Sequence, residues 1–376
     1  MNRKDFNDII KLFLPVSSTF IGAPRKVAGM SEYLNGHPDA GTMECCEDVD
    51  FAVYSTAFPG SFFQSHEVVL KHANFIASLN DARVWGTNGA VIGAGDYFIN
   101  DVSREFNKGL NIEHSIYYTI KQIKSTILKG TTALIGTAGA NIYYHWMLDI
   151  LPRLALIAKH ISIEQIDYFV TAYTQLPFQT ETLNKAGIPL HKIIASNENW
   201  NFHIQAERLL VPSFAGPLDQ PTPAQINFLR SLYSDCMHTE KPFRKLYISR
   251  KKAGRREIVN ENELIDYLLI YGFEIIYCEE MSVAEQVKLF SEATFIIGSH
   301  GSAFTNLVFC QPNTTVVDIF NASHINPCFW FISKMLDLEY HFISGESKSI
   351  DNNPKNDHTI VDVILFKKTL QTIGLR

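Results

Sequence analysis

The stretch TFIIGSHGSAFTN, residues 294–306, carries the clearest structural signal in the chain. Its apolar first half predicts a buried strand at 294–298, and its small and polar second half predicts a turn that leads into a helix. Gly298 and Gly301 would let the backbone approach a ligand closely, because they carry no side chain. In an open α/β sheet, ligands bind where strands end in such turns. The stretch therefore predicts a parallel sheet and the edge at which that sheet binds a ligand.

The segments around this stretch alternate between strands and helices. The predicted strands lie at 245–249, 274–277 and 315–319, and the predicted helices lie at 261–271 and 282–291. Ser282, with Glu285 three residues later, is the signature of a capped helix start. This order predicts a Rossmann-like domain over residues 239–376. We expect the last helix of this domain to pack back on the N-terminal part of the chain.

A second run of alternating segments precedes this domain. Its predicted strands lie at 132–136, 168–170, 193–195 and 208–212, and its predicted helices lie at 146–157, 178–186 and 223–238. Pro152 should bend the first of these helices or mark its true first turn. Before residue 131, glycines separate short apolar pieces, which is typical of hairpins. We therefore expect an N-terminal, acceptor-side domain over 1–238, which is β-rich over 1–130 and Rossmann-like over 131–238.

The composition indicates a globular chain of two domains. The chain has 376 residues, and domains typically hold roughly 100–200 residues. Hydrophobic residues make up 46% and charged residues 19%, so the chain is too apolar to be disordered. The net charge of −6 argues against a general nucleic-acid binder, which would need positive charge to neutralise phosphates. The positive charge is concentrated locally, between Arg244 and Arg256.

The cysteines and the N-terminal segment bear on the location of the protein. The six cysteines include no C-x-x-C pair, so we expect reduced thiols, as in a cytosolic protein. The apolar segment 9–21 is interrupted by Lys11 and Pro15 and is shorter than the roughly 20 residues of a spanning helix. It is interpreted as an amphipathic helix or a membrane-surface contact. The expectation is a cytoplasmic protein, soluble or peripheral at the inner membrane of a bacterium.

The polar residues of the 294–306 stretch form the first candidate site. Backbone N–H groups at a helix N-terminus attract phosphate, and the side chains here add further donors. The candidate phosphate-binding residues are Ser299, His300, Gly301, Ser302, Thr305 and Asn306. The alternative is a tight turn in which the Thr and Asn side chains only cap a helix.

The end of the predicted strand 245–249 forms the second candidate. Arg250 follows it directly, and a guanidinium at a strand end suits bidentate recognition of phosphate. Arg255 is assigned to the same role, whereas Lys251, Lys252 and Arg256 are interpreted as a solvated basic loop. Asp318, in the predicted strand 315–319, would hold ribose hydroxyls or merely belong to a turn.

His145 and Asp149 form the third candidate. They are four residues apart, so they share one face of a helix. A carboxylate beside an imidazole orients the ring and raises its basicity, which suits a general base. The alternatives are a His paired with its neighbour for structural reasons, or a metal site for which no third ligand is evident.

Taken together, these residues resemble the glycosyltransferase 61 family (the DUF563 group). Its members include bacterial capsular-polysaccharide transferases, plant xylan-decorating enzymes and animal O-linked GlcNAc transferases. The family pattern H-W-x-x-[ED]-x-L-P-R stands here at 145–153, with Asn141 upstream. The family's strand ending in S-R, its N-E pair and its I-I-G-x-H-G-A-x-L-T-N pattern stand at 249–250, 260–261 and 296–306. The resemblance covers about residues 130–320, and it departs at H-G-S-A-F (300–304) and at Asp318, where the family has glutamate.

The resemblance implies a GT-B-like α/β fold: two Rossmann-like domains facing a cleft, here with a β-rich N-terminal elaboration. It implies an inverting transferase that uses a nucleotide sugar and needs no metal or other cofactor, because donor groups of the protein neutralise the leaving diphosphate. His145 or Asp149 would be the base, and Asn141, Trp146 and Arg153 would bind the acceptor or support the site. The expected acceptor is a hydroxyl of a glycan or a lipid-linked oligosaccharide in bacterial capsule or lipopolysaccharide synthesis.

Two other functions fit the same residues. A nucleotide-sugar epimerase of GT-B-like fold would act on the donor without an acceptor. A non-catalytic glycan-binding component of a polysaccharide-assembly complex would bind glycan and release no nucleotide.

Overall fold

The computed structural model describes residues 20–21, 24–53, 68–106, 114–119, 122–197 and 201–375. The chain forms two compact units: unit 1 comprises Met1–Ala52 and Val69–Pro217, and unit 2 comprises Val53–Val68 and Leu218–Arg376. The predicted N-terminal segment 9–21 lies outside the described residues except for its last two. Among the helices that the structure describes, none combines the length and apolar character that crossing a membrane requires.

Unit 1 is built on one large mixed sheet. Its strands are β1 Phe20–Ile21, β2 Lys26–Ala28, β3 Gly41–Val53, β4 Val68–Asn80, β5 Arg83–Trp85, β6 Ala90–Gly93, β7 Tyr97–Ile99, β8 Gln122–Ile123, β9 Thr126–Leu134, β10 Tyr168–Thr171, β11 Ile193–Ala195 and β12 His203–Pro212. Its helices are α1 Met30–Gly36, α2 Tyr143–His145, α3 Arg153–His160 and α4 Pro177–Lys185. β1 and β8 pair separately as a short antiparallel ribbon.

The parallel part of the large sheet has the order β11-β10-β9-β12. The predicted strands at 168–170, 193–195 and 208–212 lie within these elements, and the predicted strand at 132–136 coincides with β9 only as far as Leu134. β12 then pairs antiparallel with β4 and β5, and β5, β6 and β7 follow as the predicted hairpins. Val84 and Val91 share one core with Leu134, Val170 and Leu209. The β-rich N-terminal segment is therefore an extension of the parallel sheet, because both bury their apolar side chains in the same core.

Unit 2 has a nearly all-parallel sheet. Its strands are β13 Arg244–Ile248, β14 Glu274–Ile276, β15 Ala293–Ser299, β16 Thr315–Asn321, β17 Glu339–Lys348 and β18 His358–Ile360, and its helices are α5 Pro223–Leu232, α6 Glu261–Ile270, α7 Val283–Ser291, α8 Cys328–Met335 and α9 Val363–Thr372. The strand order is β14-β13-β15-β16-β17, all parallel, with β18 antiparallel at the end. This is the doubly wound order in which the winding direction switches between β13 and β15, and ligands bind beyond the carboxyl ends of the strands at that switch.

The division between the two units falls between Pro217 and Leu218, earlier than the predicted boundary after residue 238. The reason lies in α5, which packs with unit 2. Nη1 of Arg230 donates hydrogen bonds to the carbonyls of Val308 and Cys310, at 2.8 and 3.0 Å. The break at residues 239–242 is therefore a loop within unit 2.

The last helix, α9, belongs to the core of its own unit. It was expected to pack back on the N-terminal part of the chain, but Phe366 and Leu370 are fully buried beside Leu264 and Leu268 of α6. The apolar face of α6 needs a cover on one side of the sheet, and α9 provides it. No disulfide joins any of the six cysteines in the described structure.

We expect Leu370→Ala to lower the free energy of unfolding by about 2–5 kcal/mol, the usual cost of a cavity in a packed core. Leu365→Ala on the same helix is the matched control. Leu365 is 50% exposed, so its truncation should cost no more than about 0.5 kcal/mol. Urea unfolding measures both, and equal effects of the two substitutions would contradict this packing of α9.

Candidate functional site

The carboxyl ends of β13 and β15 bring two predicted motifs together in unit 2. Ile248 pairs with Gly298, so Arg250 and Gly301 follow adjacent strands. A Cβ atom built on Gly301 would lie 1.8 Å from Nη1 of Arg250. The guanidinium therefore lies directly against the backbone of Gly301, in the space that a Cβ atom would occupy. The sequence predicted that the glycine admits a close approach, and the group that approaches is the Arg250 side chain.

Arg250 is a buried cation whose charge is offset only by carboxylates that do not pair with it, chiefly Glu279. Arg250 is 7% exposed. Burial lowers the pKa of its guanidinium to about 10, so the group stays charged at neutral pH. Its Nε donates a long hydrogen bond, 3.4 Å, to the carbonyl of Arg255. It forms no ion pair with a carboxylate in the described part of the chain. A buried charge without a partner is costly, so an anionic ligand would stabilise this arrangement.

Arg256 is also drawn into this site, although the sequence placed it in a solvated loop. Burial, followed by the charges of Arg250 and Arg255, lowers its pKa to about 9. Its backbone has a φ of +55°, a left-handed conformation that is uncommon for residues other than glycine. The Arg256 N–H donates to the Asn356 carbonyl at 3.1 Å, and its carbonyl accepts from Ser299 Oγ at 2.7 Å. These two bonds hold the unusual backbone and keep the guanidinium in the site.

The prediction for Arg256 was therefore wrong, and the sequence contains no signal that separates it from Arg255. Arg255 is exposed, whereas Arg256 is half-buried, with a buried Nε that finds no partner among the described residues. Two other charges of the basic run are neutralised elsewhere. Arg244 lies at the opposite end of β13 and pairs with Glu274 and Glu292, and Lys252 pairs with Glu280.

His300 is held by a buried carboxylate. Its Nδ1 lies 2.9 Å from Oδ2 of Asp318, and the Tyr340 hydroxyl donates to the same oxygen at 2.8 Å. The His300 ring stacks on Phe320 with centroids 4.5 Å apart. Asp318 is fully buried within β16, so the geometry shows it fixing His300, and neither of its predicted roles describes this contact. Burial, followed by the charge of Asp318, raises the pKa of Tyr340 well above its usual value, which keeps its proton available for the bond.

Some of the remaining polar residues of the stretch 294–306 form hydrogen bonds within the protein, and others do not. The predicted helix after the turn is a 3-10 helix, Ser302–Phe309. Asn306 donates its amide to Oε1 of Gln286 on α7 at 2.7 Å, which connects the two helices. Thr305 is fully buried, and its hydroxyl finds no partner in the described residues. Ser302 is half-buried.

In unit 1, His145 and Asp149 lie on a helix that is locally widened. α2 continues into a single π turn, Trp146–Ile150, in which the Leu151 N–H donates to the Trp146 carbonyl at 3.0 Å. Pro152 follows and precedes α3, so it marks the first turn of that helix. Proline has no N–H and its ring crowds the preceding turn, which the wider π geometry accommodates. Such π turns are frequent at functional sites.

The imidazole of His145 is bonded to Asp149. Its Nδ1 lies 2.7 Å from Oδ2 of Asp149, and the two side chains are 14% and 5% exposed. When Nδ1 carries the proton that it donates to the carboxylate, Nε2 keeps its lone pair. Phe106 packs against the ring at a centroid distance of 4.5 Å. The pair therefore has the geometry of a base with its orienting carboxylate.

Trp146 and Arg153 support this helix from below. Trp146 Nε1 donates to Oγ1 of Thr182 on α4 at 2.7 Å. Arg153 is fully buried, and its guanidinium donates to the carbonyls of Ile135, Gly136 and Pro212 at 2.6–3.0 Å. Burial lowers its pKa to about 9. The side chains of Trp146 and Arg153 therefore form hydrogen bonds within the protein, whereas Asn141 is exposed.

Known proteins match the part of the chain that carries both constellations. A model of the glycosyltransferase 61 family matches residues 143–317. This segment belongs to the glycosyltransferase 61 family. Its first residues include the His145–Asp149 pair, and it ends one residue before Asp318.

Two curated plant proteins are similar to parts of this chain. A beta-1,2-xylosyltransferase of Arabidopsis thaliana is 30% identical over 26% of this chain and 21% of its own length. Beta-1,2-xylosyltransferase RCN11 of Oryza sativa subsp. japonica is 39% identical over 17% of this chain and 12% of its own length. The matches thus span about a fifth and an eighth of these relatives.

In the described residues, no three His, Cys, Asp or Glu side chains are grouped to hold a metal.

Gly301→Ala should displace the Arg250 guanidinium and weaken the binding of inorganic pyrophosphate about tenfold, because the new Cβ occupies the guanidinium's space. Calorimetric titration measures the affinity. Gly36→Ala is the control, since nothing lies within 4 Å of the added atom there. In a double variant with Arg250→Ala, Gly301→Ala should cause no further loss, since both changes remove one interaction. Full additivity would contradict the proposed contact.

Proposed function

We propose that this chain is a glycosyltransferase that moves a sugar from a nucleotide-activated donor to a hydroxyl of a glycan or glycolipid. The observation that carries the proposal is the under-compensated Arg250 and Arg256 pair at the switch point of the unit 2 sheet. The family membership of residues 143–317 and the names of the two plant relatives support it. The GT-B arrangement of two Rossmann-like domains facing a cleft is part of the same proposal.

The donor would bind with its diphosphate at the arginine cluster of unit 2. The charge of Arg255 lowers the pKa of both Arg250 and Arg256, and none of the three arginines forms an ion pair with a carboxylate that the structure describes. A nucleoside diphosphate brings the negative charge that such a cluster lacks, and guanidinium groups match phosphate oxygens in geometry. The same groups would stabilise the charge that develops on the leaving diphosphate. This supports a reaction that needs no metal.

The acceptor hydroxyl would be activated by His145. The geometry favours His145 over Asp149 as the base, because Asp149 is nearly buried and occupied by the imidazole Nδ1. In an inverting single displacement, the acceptor oxygen bonds to the anomeric carbon while its proton passes to Nε2 of His145. The bond from the anomeric carbon to the phosphate oxygen breaks, and its electron pair leaves with the diphosphate.

The biological setting and the sugar are the finer parts of the proposal. We propose a role in bacterial surface polysaccharide synthesis, at the cytoplasmic side of the inner membrane, as the sequence led us to expect. The two relatives are plant proteins whose names specify xylosyl transfer. UDP-xylose is therefore the first donor to test, within a panel of nucleotide sugars.

We expect His145→Ala to lower kcat by about 10²–10⁴-fold, the usual contribution of a general base. Asp149→Asn should also lower kcat, because the imidazole loses its orienting charge. The KM for the donor should change little in both variants. His191→Ala, at an exposed position of the same unit, is the control for loss of an imidazole. Near-normal turnover in both variants would show that the base lies elsewhere.

Arg250→Ala should weaken donor binding by about 10- to 100-fold, since charge-assisted hydrogen bonds contribute about 1.5–3 kcal/mol each. Lys251→Ala, which removes an exposed charge one residue away, should leave the affinity close to that of the unmodified chain. Titration with UDP-sugars measures both. Equal affinities for the two variants would remove Arg250 from the donor site.

Product analysis separates the proposed activity from its rivals. With donor alone, a transferase should leave the configuration of the sugar unchanged, whereas an epimerase would convert it. With acceptor present, a transferase releases nucleotide diphosphate and a binding protein does not. Turnover should persist in excess EDTA; loss of activity that Mg²⁺ restores would contradict the metal-independent mechanism.

A further inference from the structure

Unit 1 has a pocket of its own at the carboxyl ends of its parallel strands. The segments after β9, β10 and β11 contribute Asn141, Thr174 and Asn197, and the β5–β6 hairpin contributes Asn88. The pocket volume is about 160 Å³, which equals the liquid volume of roughly five water molecules at about 30 Å³ each. That is room for a ligand the size of one sugar ring, well below the 300–1,000 Å³ or so of a typical drug-sized site.

The lining is polar but carries no charge. Among the residues described around the pocket, none is Asp, Glu, Lys or Arg, and the polar side chains are Thr87, Asn88, Asn141, Thr174, Gln179 and Asn197. Amide and hydroxyl groups both donate and accept hydrogen bonds, as the hydroxyls of a neutral sugar do. The contrast with the arginine cluster of unit 2 is clear, because a diphosphate would find no counter-charge here.

Part of the lining is saturated with hydrogen bonds and shapes the pocket. Gln179 is fully buried; its Oε1 accepts from the Thr174 N–H at 3.0 Å, and its Nε2 donates to the Ala140 carbonyl at 2.8 Å. It thereby joins the segments that follow β9 and β10. Asn197 accepts from the Tyr173 N–H at 2.5 Å. These bonds preorganise the walls before any ligand binds.

Two other side chains of the lining are available to a ligand. The amides of Asn88 and Asn141 make no hydrogen bond to any residue that the structure describes, and both are at least partly exposed. The pocket also adjoins the candidate base. Gly139 lines it, and a Cβ atom built there would lie 2.8 Å from Cδ2 of His145. Gly139 therefore lines the pocket and packs against the imidazole of His145, which is not itself a lining residue.

We propose that this pocket is the acceptor subsite, which takes one neutral sugar residue and holds it beside the Gly139 segment that packs against His145. Asn88 and Asn141 supply the hydrogen bonds that recognise the ring, and Gln179 holds the walls in place. The inference rests on the proposed transferase activity for its role, but the binding of a neutral sugar to this pocket can be tested without turnover. Because the described lining residues carry no charge, we expect neutral sugars to bind here in preference to uronic acids and phosphorylated sugars.

The test uses the full-length chain and saturation-transfer NMR with methyl glycosides. The probes are the methyl pyranosides of xylose, galactose, glucose and mannose, with methyl glucuronide as the charged counterpart. At least one neutral glycoside should bind, and the glucuronide should bind more weakly than methyl glucoside. Asn88→Ala and Asn141→Ala should each weaken the bound glycoside about three- to tenfold, the effect of one lost hydrogen bond. Asn184→Ala, an exposed residue of α4 outside the pocket, is the matched control.

Parallel titrations with UDP separate this inference from the proposed function. If the inference holds, the Asn88 and Asn141 variants bind UDP as the unmodified chain does. The inference is overturned if no neutral glycoside binds, if the Asn variants bind glycosides as well as the control does, or if they lose UDP instead. Loss of UDP binding in Arg250→Ala supports the donor site, and this result does not depend on the outcome of the glycoside titrations.

Discussion

The contact between the Arg250 guanidinium and the backbone of Gly301 is the constraint on which the unit 2 site depends. It exists because β13 and β15 are adjacent and parallel, so the residues that follow them meet at one edge of the sheet. The missing Cβ of Gly301 lets a cation settle against the backbone in a place where water can solvate it only partly. Burial lowers the pKa of Arg250 without removing its charge at neutral pH. The surrounding charges then act on Arg250: Glu279 and Glu257 partly offset its charge without pairing with it, and Arg255 opposes it. Asp318 is engaged with His300.

Each unit contains a buried arginine, and the two differ in how many hydrogen bonds they form. Arg153 is completely enclosed, and three backbone carbonyls accept its hydrogen bonds. It fastens the ends of β9 and β12 beneath the helix that carries His145. Arg250 has one long hydrogen bond, and it forms no ion pair among the residues that the structure describes. The Nη groups of Arg153 are thus held by backbone carbonyls and stabilise the fold, whereas the Arg250 side chain is held by a single long hydrogen bond among the described residues. A buried charge without a close partner is costly, so an anion would stabilise it.

The sequence pattern foretold the parallel segments well, because buried strands and capped helices leave local signatures. The strand at 294–298, the capping box at Ser282 and the first-turn role of Pro152 are all found in the structure. The predicted pairing of His145 with Asp149 follows from helical spacing and is also found. The errors concern long-range contacts. The last helix covers its own unit because the apolar face of α6 lies next to it, and α5 joins unit 2 through Arg230.

Residue types and spacing therefore determined the α/β class, the two polar strand ends at the sheet edge and the glycosyltransferase 61 resemblance. Each of these follows from a short contiguous stretch of sequence. Only the tertiary structure decided which side chains of those stretches are free. It drew Arg256 into the site through a left-handed backbone held by Asn356 and Ser299, and it committed Asn306 to Gln286. Partners of this kind lie 20 to 100 residues away along the chain. No local pattern records them, because their proximity is created by the packing of strands and helices that are distant in sequence.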